Sequence, residues 1–321
     1  MTKLSVGIPA YNQGNYLLQT LRSLMNQEEL PYEIVVSDNH STDQTPRILK
    51  KFGNTVRIVR PPRHLPMMAH WNFLVSNLKG NWFALMSSDD VAKPNFVKTL
   101  IAGTTRSDRA VLVRSGWENI DGDGKLINNH YLLSTRKKMT PPQTFLEQLS
   151  GPKHNFAAFA AKTSAWDNVG GFPEQCKLIG DWAFWLKLSA EGDFVYEHQL
   201  ISQYRTNYRL GITQARLQTE LEDELFICTK IIPEVAEILS LKNSRKIKVA
   251  ARRRFIGRLA AISQNKEALL NDSLINTLEK LAKDLQCQRE YHQFRQGKIF
   301  RLPGNTFRKY LRPFVQYLRT Q

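Results

Sequence analysis

Residues 4–12 read Leu-Ser-Val-Gly-Ile-Pro-Ala-Tyr-Asn, and the reading of this stretch decides the fold. Leu4 to Ile8 has the length and apolar content of a short strand, and Pro9, lacking an N–H, is expected to end its pairing. Beyond the turn at Asn12-Gln13-Gly14, apolar side chains recur at Leu17, Leu18, Leu21, Leu24 and Met25, which is one face of a helix. A second strand follows at Glu33-Ile34-Val35-Val36-Ser37, apolar enough to be buried on both sides, and leads into a polar loop from Asp38 to Thr45. Pro46 suits the first turn of a helix. The alternation continues with a strand at Val56 to Val59, a helix near Met67 to Leu78, and a strand Trp82-Phe83-Ala84-Leu85-Met86 that runs straight into Ser87-Ser88-Asp89-Asp90.

Strands alternating with helices predict a mostly parallel sheet flanked by helices, with right-handed crossovers. In such sheets ligands bind beyond the carboxyl ends of the strands. The polar clusters fall there: Tyr11-Asn12 after the first strand, Asp38 to Asp43 after the second, Asp89-Asp90 after the fourth. Three independent polar loops converging on one crevice point to a nucleotide site. Residues 105–165 are less regular, with strand-like pieces at Ala110 to Val113 and Phe156 to Ala160 and a turn at Asp121-Gly122-Asp123-Gly124. A helix is expected over Trp182 to Ser189 and a strand over Phe194 to Tyr196. From about residue 214 the pattern is helical, with a break near Leu302-Pro303-Gly304.

The chain has 321 residues and a formal net charge of +16, enough length for one α/β domain and a smaller appendage. From residue 241 on lie 19 of the 45 Lys and Arg but only 5 of the 29 Asp and Glu. A region so basic seeks a polyanion, or else presents a solvated helical surface. No zinc-finger spacing or aromatic-basic RNA signature accompanies the charge, so nucleic acid is not the expected partner. No apolar run is long enough to cross a bilayer, the first residues do not read as a secretion signal, and three widely spaced cysteines make no disulfide framework. These features favour the cytoplasm, extending to the inner face of its membrane.

Four linked segments resemble the inverting family 2 glycosyltransferases: SVGIPAYNQGNYLLQTLRSLMNQ, EIVVSDNHSTDQT, ALMSSDDVAKPNF, and GGFPEQCKLIGDWAFWLKLSAEGDFVYEH leading into SQYRTN. The similarity covers roughly residues 3–210 and implies a GT-A, Rossmann-like catalytic domain over 1–213, followed by a basic helical region over 214–321. It implies a nucleotide-sugar donor (UDP- or dTDP-sugar), a saccharide or lipid-linked acceptor, and cell-surface polysaccharide or lipopolysaccharide assembly. Pro9, Ala10, Tyr11 and Asn12 then line the base and ribose pocket, although Asn12 reads equally as a turn residue. Asp38 takes the role of the acid that contacts base or ribose, and for Asp43 a helix cap is the better reading.

The resemblance also implies a cation site. The family places Asp-x-Asp where this chain has Ser87, Ser88 and Asp89, so Asp89 and Asp90 remain to hold Mn²⁺ or Mg²⁺, with Ser88 beside the donor. Oxygen ligands on a short loop suit these hard cations. Asp181, before an aromatic helix and after a Gly-Gly-Phe turn, stands at the family's catalytic base, with Gly180 where a second acid is common. Trp182 and Trp185 read as core rather than as sugar-stacking platforms. Asn72 and Arg205 are further donor contacts, Arg205 equally a structural ion pair, and Asn207 replaces a family histidine. His64 has no identifiable partner. A nucleotidyltransferase of a sugar-nucleotide pathway is the alternative, but the loop after the first strand lacks the Gly-rich phosphate cradle such enzymes use.

Overall fold

The computed structural model describes residues 1–130, 137–149, 151–152, 155–206, 214–241, 245–262 and 271–296. They form two compact units. The first comprises Met1–Thr144, Lys153–Glu174 and Lys187–Thr206; the second comprises Phe145–Pro152, Gln175–Leu186 and the residues from 207 on.

In the first unit, strand β1 (Leu4–Ala10) carries the chain into helix α1 (Gly14–Met25), whose buried Leu17, Thr20, Leu21 and Leu24 keep the helical period read from the sequence. Strand β2 (Glu33–Asp38), α2 (Thr45–Lys50), β3 (Arg57–Val59), α3 (Met67–Ser76) and β4 (Trp82–Leu85) repeat the alternation. Strands β1 and β2, β2 and β3, and β1 and β4 pair in parallel, so the order β3-β2-β1-β4 places a topological switch point between β1 and β4. The first strand does not stop at Pro9: Pro9 and Ala10 stay in register with Ser37 and Asp38.

The sheet then becomes mixed. After β5 (Val91–Ala92) and α4 (Phe96–Thr104) come β6 (Ala110–Ile120), β7 (Leu126–His130), β8 (Lys138–Met139), α5 (Gln143–Gln148), β9 (Phe159–Lys162) and α6 (Thr163–Asn168). Strand β9 lies antiparallel between β4 and β6, and β10 (Asp193–Arg205) runs parallel to β6. Both β6 and β10 are far longer than the pieces visible in sequence, because polar residues interrupt their apolar pattern yet stay inside the sheet. Ser115 donates toward the Glu197 and Gln199 carbonyls (2.8 and 2.6 Å), and the Arg114 guanidinium stacks 4.0 Å over the Tyr196 ring.

The second unit is helical: α7 (Gly180–Leu188) enters it, followed by α8 (Gln214–Phe226), a π-helical turn (Ile227–Ile231), α9 (Ile232–Ile238), α10 (Arg245–Ile262), α11 (Asp272–Asp284) and α12 (Gln288–Arg295). The π turn falls directly before Pro233, where a regular α-helix would meet the proline ring. The basic run of α10 is not the free surface its sequence suggests. Arg254 and Arg258 are buried beside Phe255 and Leu259 and pair with Glu224 at 2.5 and 2.7 Å, and Arg258 also reaches Glu220 at 3.2 Å. The acids that neutralise them sit on α8, 30 to 38 residues earlier. The basic and apolar residues at 307–315, and Asn207, lie outside the described residues. No helix among the described residues is long and apolar enough to cross a membrane.

Candidate active site

The first unit brings the loops after β1, β2 and β4 to one edge of the sheet, and their polar side chains lace together. Asn12 adopts a left-handed φ of 53°, as its turn reading requires, and its N–H donates to Ser41 Oγ (3.0 Å) while its side-chain oxygen accepts from the Thr42 N–H (2.8 Å). Asp43 accepts from the N–H groups of Gly14 (2.8 Å) and Thr45 (2.9 Å), so one carboxylate serves the starts of both α1 and α2. These bonds hold its pKa below the usual range against the opposing effect of burial. Asp38, 5% exposed, accepts from the Ser41 N–H at 2.9 Å, and its other oxygen lies 3.9 Å from Arg60. Next to it, buried His70 meets Ser37 Oγ at 2.8 Å, and desolvation pushes its pKa down to about 4, so it is neutral at pH 7. Pro9 and Ala10 close β1, and Tyr11 is about half exposed with its ring edge-on to His64 at 4.7 Å. The sequence offered no partner for His64; the structure supplies one.

Beyond β4 the acidic loop is held from beneath. The Thr20 hydroxyl of α1 donates toward the carbonyls of Ser88 (3.0 Å) and Asp90 (2.7 Å). Arg205, at the end of β10, donates its guanidinium to the carbonyls of Asp89, Asp121 and Gly122 and to the Gln19 side chain at 2.8 to 3.0 Å, over the ring of Tyr16. Its own N–H donates to Asp90 Oδ1 at 2.8 Å. Arg205 was expected as a donor contact or, equally, as a structural ion pair. It is instead 4% exposed with its donors committed, and acts as the brace of the acidic loop. Asn72, also expected at the donor, has both sides of its amide on the Phe172 backbone (2.8 and 2.9 Å). Gly171 beside it has φ +73° and no room for a Cβ, which would stand 2.6 Å from Asn72 Oδ1.

Electrostatically the loop is under-compensated. Asp90 is fully buried and its Oδ2 accepts no hydrogen bond among the described residues. Burial first, and the Asp89 charge second, push the Asp90 carboxyl well above the usual range, against the Arg205 N–H and charge. Asp89 is also raised by burial, with Arg205 opposing. Neither carboxylate has a salt-bridge partner among the described residues, which also hold no cluster of three or more His, Cys, Asp or Glu suited to a metal. Two adjacent carboxylates, one with an orphaned buried oxygen, fit a divalent cation that draws its remaining ligands from phosphate and water.

Asp181 belongs to the second unit. It lies in the first turn of α7, partly exposed, with Oδ1 accepting from the Trp182 N–H at 2.8 Å. Desolvation outweighs the bonds from the Trp182 and Asp181 backbone, and with a contribution from Asp223 the pKa rises to about 6. Asp223 of α8 accepts the successive N–H groups of Lys177, Leu178 and Ile179 at 2.7 to 3.0 Å. Nothing in the sequence singled it out. Trp182 and Trp185 are fully buried; Trp182 donates to the Gln148 carbonyl and lies 4.1 Å beneath the Arg254 guanidinium, so both belong to the core.

Residues 5–162 match the sequence profile described as Glycosyl transferase family 2. The chain is 29% identical to a hyaluronan synthase of Pasteurella multocida over 308 residues, which is 90% of this chain and 31% of that protein. The chain spans between a fifth and a third of the length of the curated relatives it first matches. In fold it is similar to S. aureus TarS 1–349 in complex with UDP-GlcNAc, with a TM-score of 0.69 at 17% identity over 98% of this chain and 92% of the other. It is also similar to the mannosyltransferase PcManGT of Pyrobaculum calidifontis in complex with GDP-Man and Mn²⁺ (TM-score 0.52, 15% identity, 93% and 87% covered).

Proposed function

We propose that this chain, which belongs to glycosyl transferase family 2, transfers a sugar with inversion from a UDP- or dTDP-sugar to an acceptor hydroxyl. The observation that carries the reading is the edge of the first unit where Tyr11-Asn12, Asp38 and Ser88-Asp89 follow three parallel strands. The resemblance assigns the base and ribose to Pro9, Ala10, Tyr11, Asn12 and Asp38. Tyr11 offers an exposed ring to a base, and Asp38 a buried carboxylate to ribose hydroxyls. Asp89, with Asp90 behind it, would hold Mn²⁺ or Mg²⁺, and Ser88 lies beside them. A cation there would neutralise charge developing on the departing nucleoside diphosphate. Arg205 and Thr20 keep the acidic loop in one shape before any ligand arrives, so no reorganisation is needed at the moment of reaction.

In this reading Asp181 is the base. A carboxylate in that role removes the proton from the acceptor hydroxyl as the oxygen attacks, and a pKa raised to about 6 makes it a stronger base than an ordinary aspartate. The name of the hyaluronan synthase relative supports a saccharide acceptor in polysaccharide assembly. The exposed cations Arg245, Lys246 and Lys248 of α10 are assigned to an anionic membrane surface near a lipid-linked acceptor. Sedimentation with anionic vesicles at low salt checks that assignment, and failure to bind removes it. The donor reading is tested by a panel of nucleotide-sugars with Mn²⁺, scored for thermal stabilisation and release of the nucleotide. Stabilisation by UDP or dTDP and their sugars is the expected result; response to none, or only to another nucleotide, overturns it.

A further inference from the structure

We propose that Asp223 is a positioning residue for the reaction, fixing the turn before α7 and through it the carboxylate of Asp181. The inference rests on the reading of Asp181 as the base. Asp223 is 2% exposed, so its carboxylate is taken out of water. What it receives in return, among the described residues, is backbone alone: the Lys177 N–H at 2.9 and 3.0 Å to its two oxygens, and the Leu178 and Ile179 N–H groups at 2.7 and 2.9 Å to Oδ2. Three successive N–H groups pointing at one carboxylate require the turn to curl around it, and charge-assisted bonds of this kind are the stronger class. The next residue, Gly180, begins α7, and the Ile179 carbonyl accepts the Trp182 N–H at 3.1 Å. Asp181 therefore sits between two residues whose backbone positions Asp223 and the helix start define.

A neutral side chain could also cap the turn. A second carboxylate does more, because its charge reaches Asp181 and, with burial, raises the proton affinity of that group. Among the described residues, the titratable neighbours that act on one another here are Asp223 from α8, Asp181, and Cys176 from the turn. Burial, Asp223 and Asp181 push the Cys176 thiol up to about 12, so it stays neutral and Asp223 is the charge that acts. The same helix carries Glu224, which anchors Arg254 against Trp182, and Glu220, which pairs with Arg258. One face of α8 thus holds the turn before Asp181 and the ring after it.

The test uses the full chain and, as probe, the UDP-sugar with the fastest UDP release in the panel. Asp223→Asn keeps one acceptor oxygen but turns an amide N–H₂ toward the backbone donors and removes the charge. The expected result is a fall in kcat of about 10²-fold, the scale of a misplaced catalytic group, with the KM for the UDP-sugar and the affinity for UDP unchanged. The acid limb of the kcat profile should also move to lower pH, which a purely structural role would not produce. Asp223→Glu keeps the charge on a longer stem, so kcat should fall while the acid limb stays near its wild-type position. If Asp223→Asn does not fold, as judged by circular dichroism, the kcat of Asp223→Glu decides alone. Wild-type kcat in the folded variants, with Asp181→Asn inactive, overturns the positioning role and leaves the base reading standing. An active Asp181→Asn variant removes the base reading, and the inference with it.

Discussion

Two sets of buried carboxylates in this molecule have opposite proton affinities. In the first unit, burial raises Asp89 and Asp90, and each raises the need for compensation at the other. In the second unit Glu224 is as deeply buried, yet the charges and hydrogen bonds of Arg254 and Arg258 overcome desolvation and hold its pKa below the usual range. Burial alone therefore does not mark a functional acid. What separates the two is whether the protein supplies the counter-charge. It does so on α8 and α10, which makes that cluster structural, but at the acidic loop the Arg205 charge only partly offsets burial while its guanidinium bonds carbonyl oxygens.

The comparison can be broken in several places. Asp181→Asn should cost on the order of 10² to 10⁴ in transfer rate and leave UDP affinity untouched; normal turnover would show that another group is the base. Asp89→Asn keeps the shape of a proposed ligand but not its charge, and should cost on the order of 10² or more in turnover, the scale of lost transition-state charge stabilisation. Calorimetry should show weaker Mn²⁺-dependent UDP binding, and unchanged metal dependence would remove Asp89 from the site. In the second unit Glu224→Gln should act on stability instead. It removes the carboxylate that two buried guanidinium groups share and should cost about 3–5 kcal/mol in urea unfolding, with Mn²⁺-dependent UDP binding retained below the transition. A loss of binding before unfolding would erase the distinction between the two clusters.

Smaller effects sharpen the same contrast. The base must be deprotonated, and burial raises the folded pKa of Asp181 to about 6. The rate should therefore fall as pH drops through about 6, and a profile flat down to pH 5 would contradict it. Lys98→Ala breaks an exposed pair with Glu28 and should move unfolding by about 1 kcal/mol or less, the control for a carboxylate that water already satisfies.

Much of the first unit was legible because its grammar is local. The strands at 4–8, 33–37 and 82–86 and the helix period after Gly14 are written in adjacent residues, and each polar loop directly follows its strand. Asp43 as a cap and Asn12 as a turn residue were legible from their own loops, an Asp just ahead of a helix and an Asn just ahead of a Gly, although partners of both lie 29 or 30 residues away. The roles of Arg205, Asn72 and Asp223 were not, because each is defined by backbone groups 44 to 116 residues away, and backbone carries no side-chain signal. The burial of Arg254 and Arg258 in the run 252–259 was not legible for a related reason. Its basic-apolar alternation is the same whether the arginines meet solvent, lipid or the distant Glu220 and Glu224.

The Arg205 brace has a consequence for how the protein is made. Asp90 precedes its partner by 115 residues, so at ~5–20 residues per second the acidic loop leaves the ribosome about 6 to 23 s before its clamp is synthesised. Through that interval β1 to β4 can pair among themselves, while the loop that follows β4 has Thr20 beneath it but no guanidinium across its carbonyls. Closing so long a segment is the slow kind of contact formation. The geometry of the acidic loop is thus among the last features to mature, and a nascent chain halted before residue 205 would carry paired β1 to β4 with an unbraced acidic loop.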